Sequence, residues 1–251
     1  MIIYLSTFGN VPPPGWEEGL LYSIWQDKGL LWEIWFNLVH AGRYKLILNG
    51  LLLTLQIAAI GVLIGIILGV ILALMKLSRH SALRGVATTY IAIVRGIPLV
   101  VQLLIWTYVI FTMPGFSKIL ICFITFGVNS GAYVSEIFRA GILSVDKGQT
   151  EAGRSVGLSA AQTMLLIVFP QAIKNALPSL CNEFIILFKD TAIVGFIGVM
   201  DMRRWADHIT SRTLNAFVPL LAVAAIYLLI VVMLSRLLSM VERRLRVSDK
   251  R

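Results

Sequence analysis

The 251-residue chain is 58% hydrophobic and only 14% charged, with a mean hydropathy of +0.84. A soluble domain keeps about 25% charged residues to face water, so the composition excludes an ordinary soluble fold. The net charge of +9 would suit nucleic acid, but the basic residues gather at the ends of apolar runs. That placement suits anionic headgroups and orientation in a membrane, and no nucleic-acid partner is expected.

Residues 1–45 mix Pro12, Pro13 and Pro14 with Trp16, Trp25, Trp32 and Trp35, interleaved with Glu17, Glu18, Asp27, Lys28 and Glu33. No window there is long and apolar enough to cross. Tryptophan-rich amphipathic sequence favours the headgroup zone, so Gly19 to His40 is expected to form one or two interfacial helices. A packed cap over the outer mouth is the alternative. Met1 to Asn10 lacks the basic start of a signal peptide.

Charge-free runs then recur: Ile47 to Met75, Gly96 to Ser117 and Thr213 to Ser235, with the shorter Ile119 to Ser135 between them. About 20 apolar residues cross a hydrocarbon core of about 30 Å. The first span is expected at Leu48 to Met75, where Gly61, Gly65 and Gly69 stack on one helical face and admit a close neighbour. The second, Ala87 to Thr112, is interrupted early by Arg95-Gly96-Ile97-Pro98. Proline removes a donor and disfavours helix in the preceding residue, so a kink or break is expected. The third runs from Ser117 to Leu143 and turns polar in its second half.

A fourth span, Pro178 to Met200, contains Glu183, Lys189 and Asp190. Charges at membrane depth cost at least about 2.5 kcal/mol each on insertion scales and face a partner or a wet cavity. The fifth, Phe217 to Met240, ends in a basic tail. These elements predict an all-α polytopic membrane protein with about five spans. The connections and tail on one side hold 13 Lys and Arg, against 7 on the other. By the positive-inside bias the N-terminus lies outside, and the C-terminus and the 144–170 connection lie in the cytoplasm. Cys122 and Cys181 sit in apolar segments and suggest buried thiols, with no metal site.

The 144–170 connection predicts helix, turn, helix. Thr150 can cap the first helix, and Gly157 suits the left-handed position where it stops. Ser159 with Gln162 forms a capping box for the next, and Pro170 closes or kinks it. Ala152 and Val156, one turn apart, give the short helix a small apolar face fit to dock in a groove on another protein.

Glu151-Ala152-Gly153, then Gly157, then Ile167-Val168-Phe169-Pro170 resembles the coupling motif of binding-protein-dependent ABC importer permeases. Gly153 stands for the second alanine of that motif and Phe169 for its leucine; Gly153 is expected to loosen the short helix by roughly 0.5–1 kcal/mol. Other stretches resemble the polar amino-acid branch of the family: Arg95-Gly96-Ile97-Pro98-Leu99-Val100-Val101-Gln102, Asn129 to Tyr133 with Glu136 to Gly141, and Asn182-Glu183-Phe184 with Lys189-Asp190-Thr191. Ile97 stands where that branch more often has threonine.

The likeness covers residues 46–246, a permease domain, leaving 1–45 as an extension and 247–251 as a basic tail. It implies the type I ABC importer permease fold and the coupling residues Glu151, Ala152, Gly153, Val156, Gly157 and Leu158. The implied partners are an ATPase dimer, a second permease subunit (identical or homologous) and an external solute-binding protein. ATP and Mg²⁺ would be bound by the ATPase, because this chain carries no GxxxxGK[ST] phosphate loop. His40, His80 and His208 are scattered, and no catalytic constellation stands out. The chain alone is not expected to be an enzyme.

Candidate pathway residues are the polar groups at membrane depth: Asn129, Ser130 and Glu136 in the third span, and Glu183, Lys189, Asp190 and Thr191 in the fourth. Lys189 beside Asp190 could meet both ends of a zwitterionic amino acid. An internal ion-pair network is the competing reading, and Glu136 with Arg139 fits it. Arg95, Gly96 and Pro98 are a candidate gate or hinge, or else a static kink. A secondary transporter, with Glu136, Glu183 and Asp190 relaying protons, is the rival function, although no second half repeats the first. A membrane scaffold explains the spans but not the charges within them.

Overall fold

The computed structural model describes residues 29–112 and 115–248, and every regular element among them is helical. In chain order these are α1 (Leu30–Ile34), α2 (Tyr44–Leu77), α3 (Ser81–Gly96), α4 (Leu99–Ile105), α5 (Lys118–Leu143), α6 (Lys147–Ser155), α7 (Ala160–Thr163), α8 (Phe169–Asp190), α9 (Met202–Thr213) and α10 (Phe217–Ser248). Wide turns at Trp35–Val39, Trp106–Ile110 and Met164–Val168 extend α1, α4 and α7. The expectation for residues 1–28, including Trp16 and Trp25, lies outside the described residues.

Among the described residues, three helices are long and apolar enough to cross a membrane: α2, α5 and the Phe217–Arg243 part of α10. Taken together, α3 and Leu99–Ile110 are also long and apolar enough for a fourth crossing, as a pair bent by 102° at the break. The interruption expected at Arg95 to Pro98 is therefore a sharp break, and its first helix begins at Ser81 rather than Ala87. Ile97 is extended (φ −106°, ψ 128°), as a residue before proline prefers. Gln102 closes the break: its Nε2 donates to the carbonyls of Val94 at 2.7 Å and Ile97 at 2.8 Å. The fourth span also differs from its expected bounds. α8 starts at Phe169, holds Pro178 within it, and passes into a tight turn at Thr191–Ile197. Its polar residues keep it from registering as an apolar span.

Small residues set how the spans meet. A Cβ placed on Gly61 would lie 3.0 Å from Phe126 Cβ, on Gly65 2.6 Å from Ser130 Oγ, and on Gly69 2.5 Å from Val134 Cγ1. The glycine face expected from sequence is thus the contact with α5. Because both series of numbers rise together, α2 and α5 are parallel, and the bent pair returns the chain between them. From the other helix, Gly127 and Gly131 accept Ile64 and Leu68 in the same way. α8 runs antiparallel to α5, since Gly141 faces the Ala172 carbonyl while Ser130 meets Glu183. Ala73, Val134, Phe138, Ala176 and Leu180 form the apolar core these three helices share.

The chain divides into two compact units: Thr54–Val199 with Leu229–Arg251, and Met1–Leu53 with Met200–Leu228. The first is the unit just described. In the second, Glu33 Oε2 accepts from Asn215 Nδ2 at 2.6 Å and from Asn37 Nδ2 at 3.1 Å. Asp201 caps α9, accepting from Arg204 N at 2.9 Å and Arg203 N at 3.3 Å. Gly50 brings α2 against the Asp201–Met202 backbone; a Cβ there would lie 2.6 Å from Met202 N. The Asp201 side chain is fully buried, and that burial raises its pKa to about 6.

Candidate transport cavity and coupling segment

Two helical stripes in the larger unit build one polar cleft. On α5 the stripe is Asn129, Tyr133, Glu136, Ile137 and Ala140; on α8 it is Asn175, Ser179, Asn182, Glu183 and Ile186. Spacings of three and four residues put each set on one helix face. The cleft holds two adjoining cavities of about 700 and 500 Å³, which share Arg95, Tyr133, Glu183 and Ile186 as lining. The larger reaches Leu238 and Glu242 of α10. The smaller is bounded by the broken segment Arg95–Val100, with Asn129 and Asp190 opposite.

The break in the second span has a chemical consequence. Ending α3 at Gly96 leaves Arg95 at the cavity, where its guanidinium lies 4.9 Å from the centre of the Tyr133 ring. Glu183, only 5% exposed, accepts a hydrogen bond from the Ser130 hydroxyl at 3.1 Å. A fixed cation and a buried carboxylate thus line the same cavities. Such a site can receive a solute that carries both charges and offer each its complement.

The sequence candidates fall into distinct groups. Glu183, Asp190 and Asn129 are brought together, with Glu183 and Asp190 seven residues apart on one face as expected. Ser130 is fully buried and reaches the cavity only by way of Glu183. Glu136 lines the larger cavity, but its carboxylate is engaged by Lys76 from α2 and by Arg139 at 2.8 Å. It follows the ion-pair reading and ties α2 to α5. Lys189 is exposed and is not among the residues lining either cavity. Thr191 is fully buried, and its hydroxyl donates to the Phe188 carbonyl at 2.7 Å. Arg95, read from sequence as part of a hinge, proves to be the cavity's cation. Tyr133 and Asn182 were not singled out as site residues; their spacing from Asn129 and Asn175 was the available signal.

The coupling segment has the expected helix, turn and helix. Asp146, rather than Thr150, caps α6, accepting from Gly148 N at 2.6 Å. Asp146 has the extended backbone of a cap, while Thr150 sits inside the helix. Gly157 is left-handed (φ +89°), with Leu158 N donating to Gly153 O and Gly157 N to Arg154 O, both at 3.1 Å. Those two bonds are a Schellman stop. The Ser159–Gln162 capping box is present. Pro170 does not end the helix: the wide turn at Met164–Val168 precedes it, and α8 continues from Phe169. A wide turn moves the preceding carbonyls off the proline ring. Gly153 also acts differently from expectation. It is buried against the following helix, and a Cβ there would lie 2.8 Å from both Ile167 Cδ1 and Thr163 Cγ2. Glycine here lets the two helices of the segment touch. Ala152 and Val156 (77% exposed) face outward, as do Leu165 and Leu166.

With this segment and the polar cleft in place, comparison with known proteins settles the class. The model of the binding-protein-dependent transport system inner membrane component family matches residues 61–247. The chain belongs to that family. It is 41% identical over 80% of its length to a Rickettsia bellii permease provisionally named for glutamine transport, GlnP, covering 94% of that protein. It is 39% identical to the arginine transport system permease protein ArtQ of Bacillus subtilis, over 81% of this chain and 94% of that one. A chain in the crystal structure of an amino acid ABC transporter with histidines matches at a TM-score of 0.77 and 43% identity, covering 82% of this chain and 97% of that one. The chain is thus a multi-pass inner-membrane ABC importer permease of the type I fold and not itself the ATPase. Membership in this family sets aside the ion-gradient-driven reading. It implies, in general, an ATPase and a solute-binding protein as partners.

Proposed function

We propose that this chain is the membrane-spanning subunit of an ATP-driven importer for polar or charged L-amino acids. The observation that carries the substrate class is the pairing of Arg95 with Glu183 around shared cavities, with Asn129, Tyr133, Asn182 and Asp190 as further polar lining. An amino acid's carboxylate would meet Arg95, and its ammonium Glu183. The relatives named for glutamine and arginine transport support the same class.

Work is delivered through Glu151 to Leu158. The ATPase would receive the outward face of Ala152 and Val156, with Glu151 beside them, and Gly153 and Gly157 would hold the helix at a fixed angle to α7. Two permease subunits, identical or homologous, would pair over an ATPase dimer that binds ATP and Mg²⁺. The solute-binding protein would dock at the opposite mouth. The 13-to-7 bias of basic residues supports an outer N-terminus and a cytoplasmic C-terminus. Alternating access would open the cleft to each side in turn, with Gln102 keeping the Arg95–Pro98 break in one geometry.

Uptake by the assembled complex in proteoliposomes tests this. Accumulation of a polar amino acid should require enclosed ATP and external binding protein, and Glu183→Ala should lower it at least tenfold while ATPase assembly persists. Unchanged uptake kinetics in Glu183→Ala and Arg95→Ala would remove both residues from the pathway.

A further inference from the structure

Arg95 and Glu183 line both cavities together with Tyr133 and Ile186, so these four residues stand where the two cavities adjoin. Opposite charges facing one space at membrane depth ordinarily pair with each other. Here, among the described residues, each has a neutral partner instead. The Arg95 guanidinium lies 4.9 Å from the centre of the Tyr133 ring, and Glu183 accepts from the Ser130 hydroxyl at 3.1 Å. A ring face and a hydroxyl hold a charge in place without cancelling it. Both holders belong to α5, three residues apart, so one helix face spaces the two charges.

Packing brings the ring to the guanidinium. Ile91 and Val94 of α3 share a buried apolar cluster with Ala132 of α5, and Tyr90 and Val128 pack against it. The Tyr90 hydroxyl donates to the Val128 carbonyl at 2.7 Å and fixes the same contact. Arg95 follows Val94 in sequence and Tyr133 follows Ala132, so the seam between the two helices ends in this pair. An aromatic face attracts a guanidinium through its quadrupole and uses none of its N–H donors. The donor fork that matches a carboxylate is thereby kept for the solute.

We propose that Tyr133 is a positioning residue for carboxylate recognition: its ring holds Arg95 apart from Glu183 and presents the guanidinium to the carboxylate of an incoming amino acid. This role rests on the import reading above and adds a residue that acts through Arg95. The ring face is the working part, so the phenol hydroxyl is dispensable. Glu183 has its own holder in Ser130, so recognition of the ammonium does not depend on Tyr133.

The assembled complex, without binding protein, is tested by equilibrium binding of radiolabelled L-glutamine and L-arginine. Each is competed by the free acid and by its α-carboxamide, in which a neutral amide replaces the carboxylate. The wild-type complex should prefer the free acid, and Tyr133→Phe should keep that preference. Tyr133→Leu should bind the free acid roughly tenfold more weakly and the α-carboxamide as the wild type does, so the preference is lost. Tyr133→Met serves the same test if the leucine variant does not assemble. A ring that only filled space would tolerate leucine or weaken both ligands alike, and either result overturns the proposal. Loss of the preference in Tyr133→Phe overturns it as well. A wild-type complex that accumulates a probe with ATP and binding protein, yet shows no preference for the free acid, overturns the role of Tyr133 alone. One that accumulates neither probe under those conditions overturns the import reading and this role with it.

Discussion

Replacing Gly65 by alanine separates the close-packing role of the glycine face from helix propensity. In a helix interior, alanine is favoured over glycine by roughly 0.5–1 kcal/mol. At Gly65 the new Cβ would lie 2.6 Å from Ser130 Oγ, 2.7 Å from Ser130 Cβ and 3.2 Å from Gly131 N. Overpacking of that kind costs roughly 1–3 kcal/mol. Displacing Ser130 also deprives the buried Glu183 of its donor, at roughly 1–3 kcal/mol more. The clash wins, and a net loss of about 3 kcal/mol is expected. Gly85→Ala is the control, because no atom lies within 4 Å of a Cβ there; it should be neutral or stabilising by up to about 1 kcal/mol. Equilibrium unfolding of the detergent-solubilised chain measures both, and Gly65→Ala with Ser130→Gly should recover only part of the overpacking loss, because Glu183 still lacks its Ser130 donor. Equal stability of Gly65→Ala and Gly85→Ala would refute close α2–α5 contact.

Gly157→Ala forces a side chain into φ +89°; the altered stop should weaken co-purification of the ATPase and lower uptake while membrane levels stay normal. Gln102→Leu removes both side-chain donors at the 102° break and should destabilise the fold by roughly 1–3 kcal/mol, read by thermal unfolding. Asp201 carries a pH signature. Its pKa is raised from 3.8 to about 6 by burial, so the folded chain binds the proton more tightly than the unfolded one. That penalty is full above pH 6 and gone below about pH 4, so stability should rise on acidification through this window, by on the order of 3 kcal/mol. Asp201→Asn keeps a capping oxygen and should flatten the dependence; an unchanged slope would contradict the assignment.

The long apolar runs made three spans legible, because charge-free length is a direct consequence of the bilayer. The glycine face, the Gly157 stop and the Ser159–Gln162 box were also readable, each being a local rule of backbone geometry. What escaped was decided by neighbours distant in sequence. Arg95 reads as a residue beside a kink, and only the size of the bend leaves it at the cavity with Tyr133. Lys189 and Glu183 look alike in a window of sequence, yet one is exposed and the other 5% exposed, because α8 turns one face to α5 and another outward. Glu136 could not be assigned from Arg139 alone, since its second partner, Lys76, lies 60 residues away. Gly153 looked like a weak point in a short helix, until its contact with Thr163 and Ile167 gave it a packing role.

ATPase activity of the assembled complex in lipid nanodiscs, with and without binding protein and a panel of polar amino acids, tests the central claim most directly. The import reading predicts stimulation by binding protein loaded with one class of polar amino acid, lost in Gly157→Asp. A complex that carries no ATPase, or whose turnover no loaded binding protein changes, would contradict it.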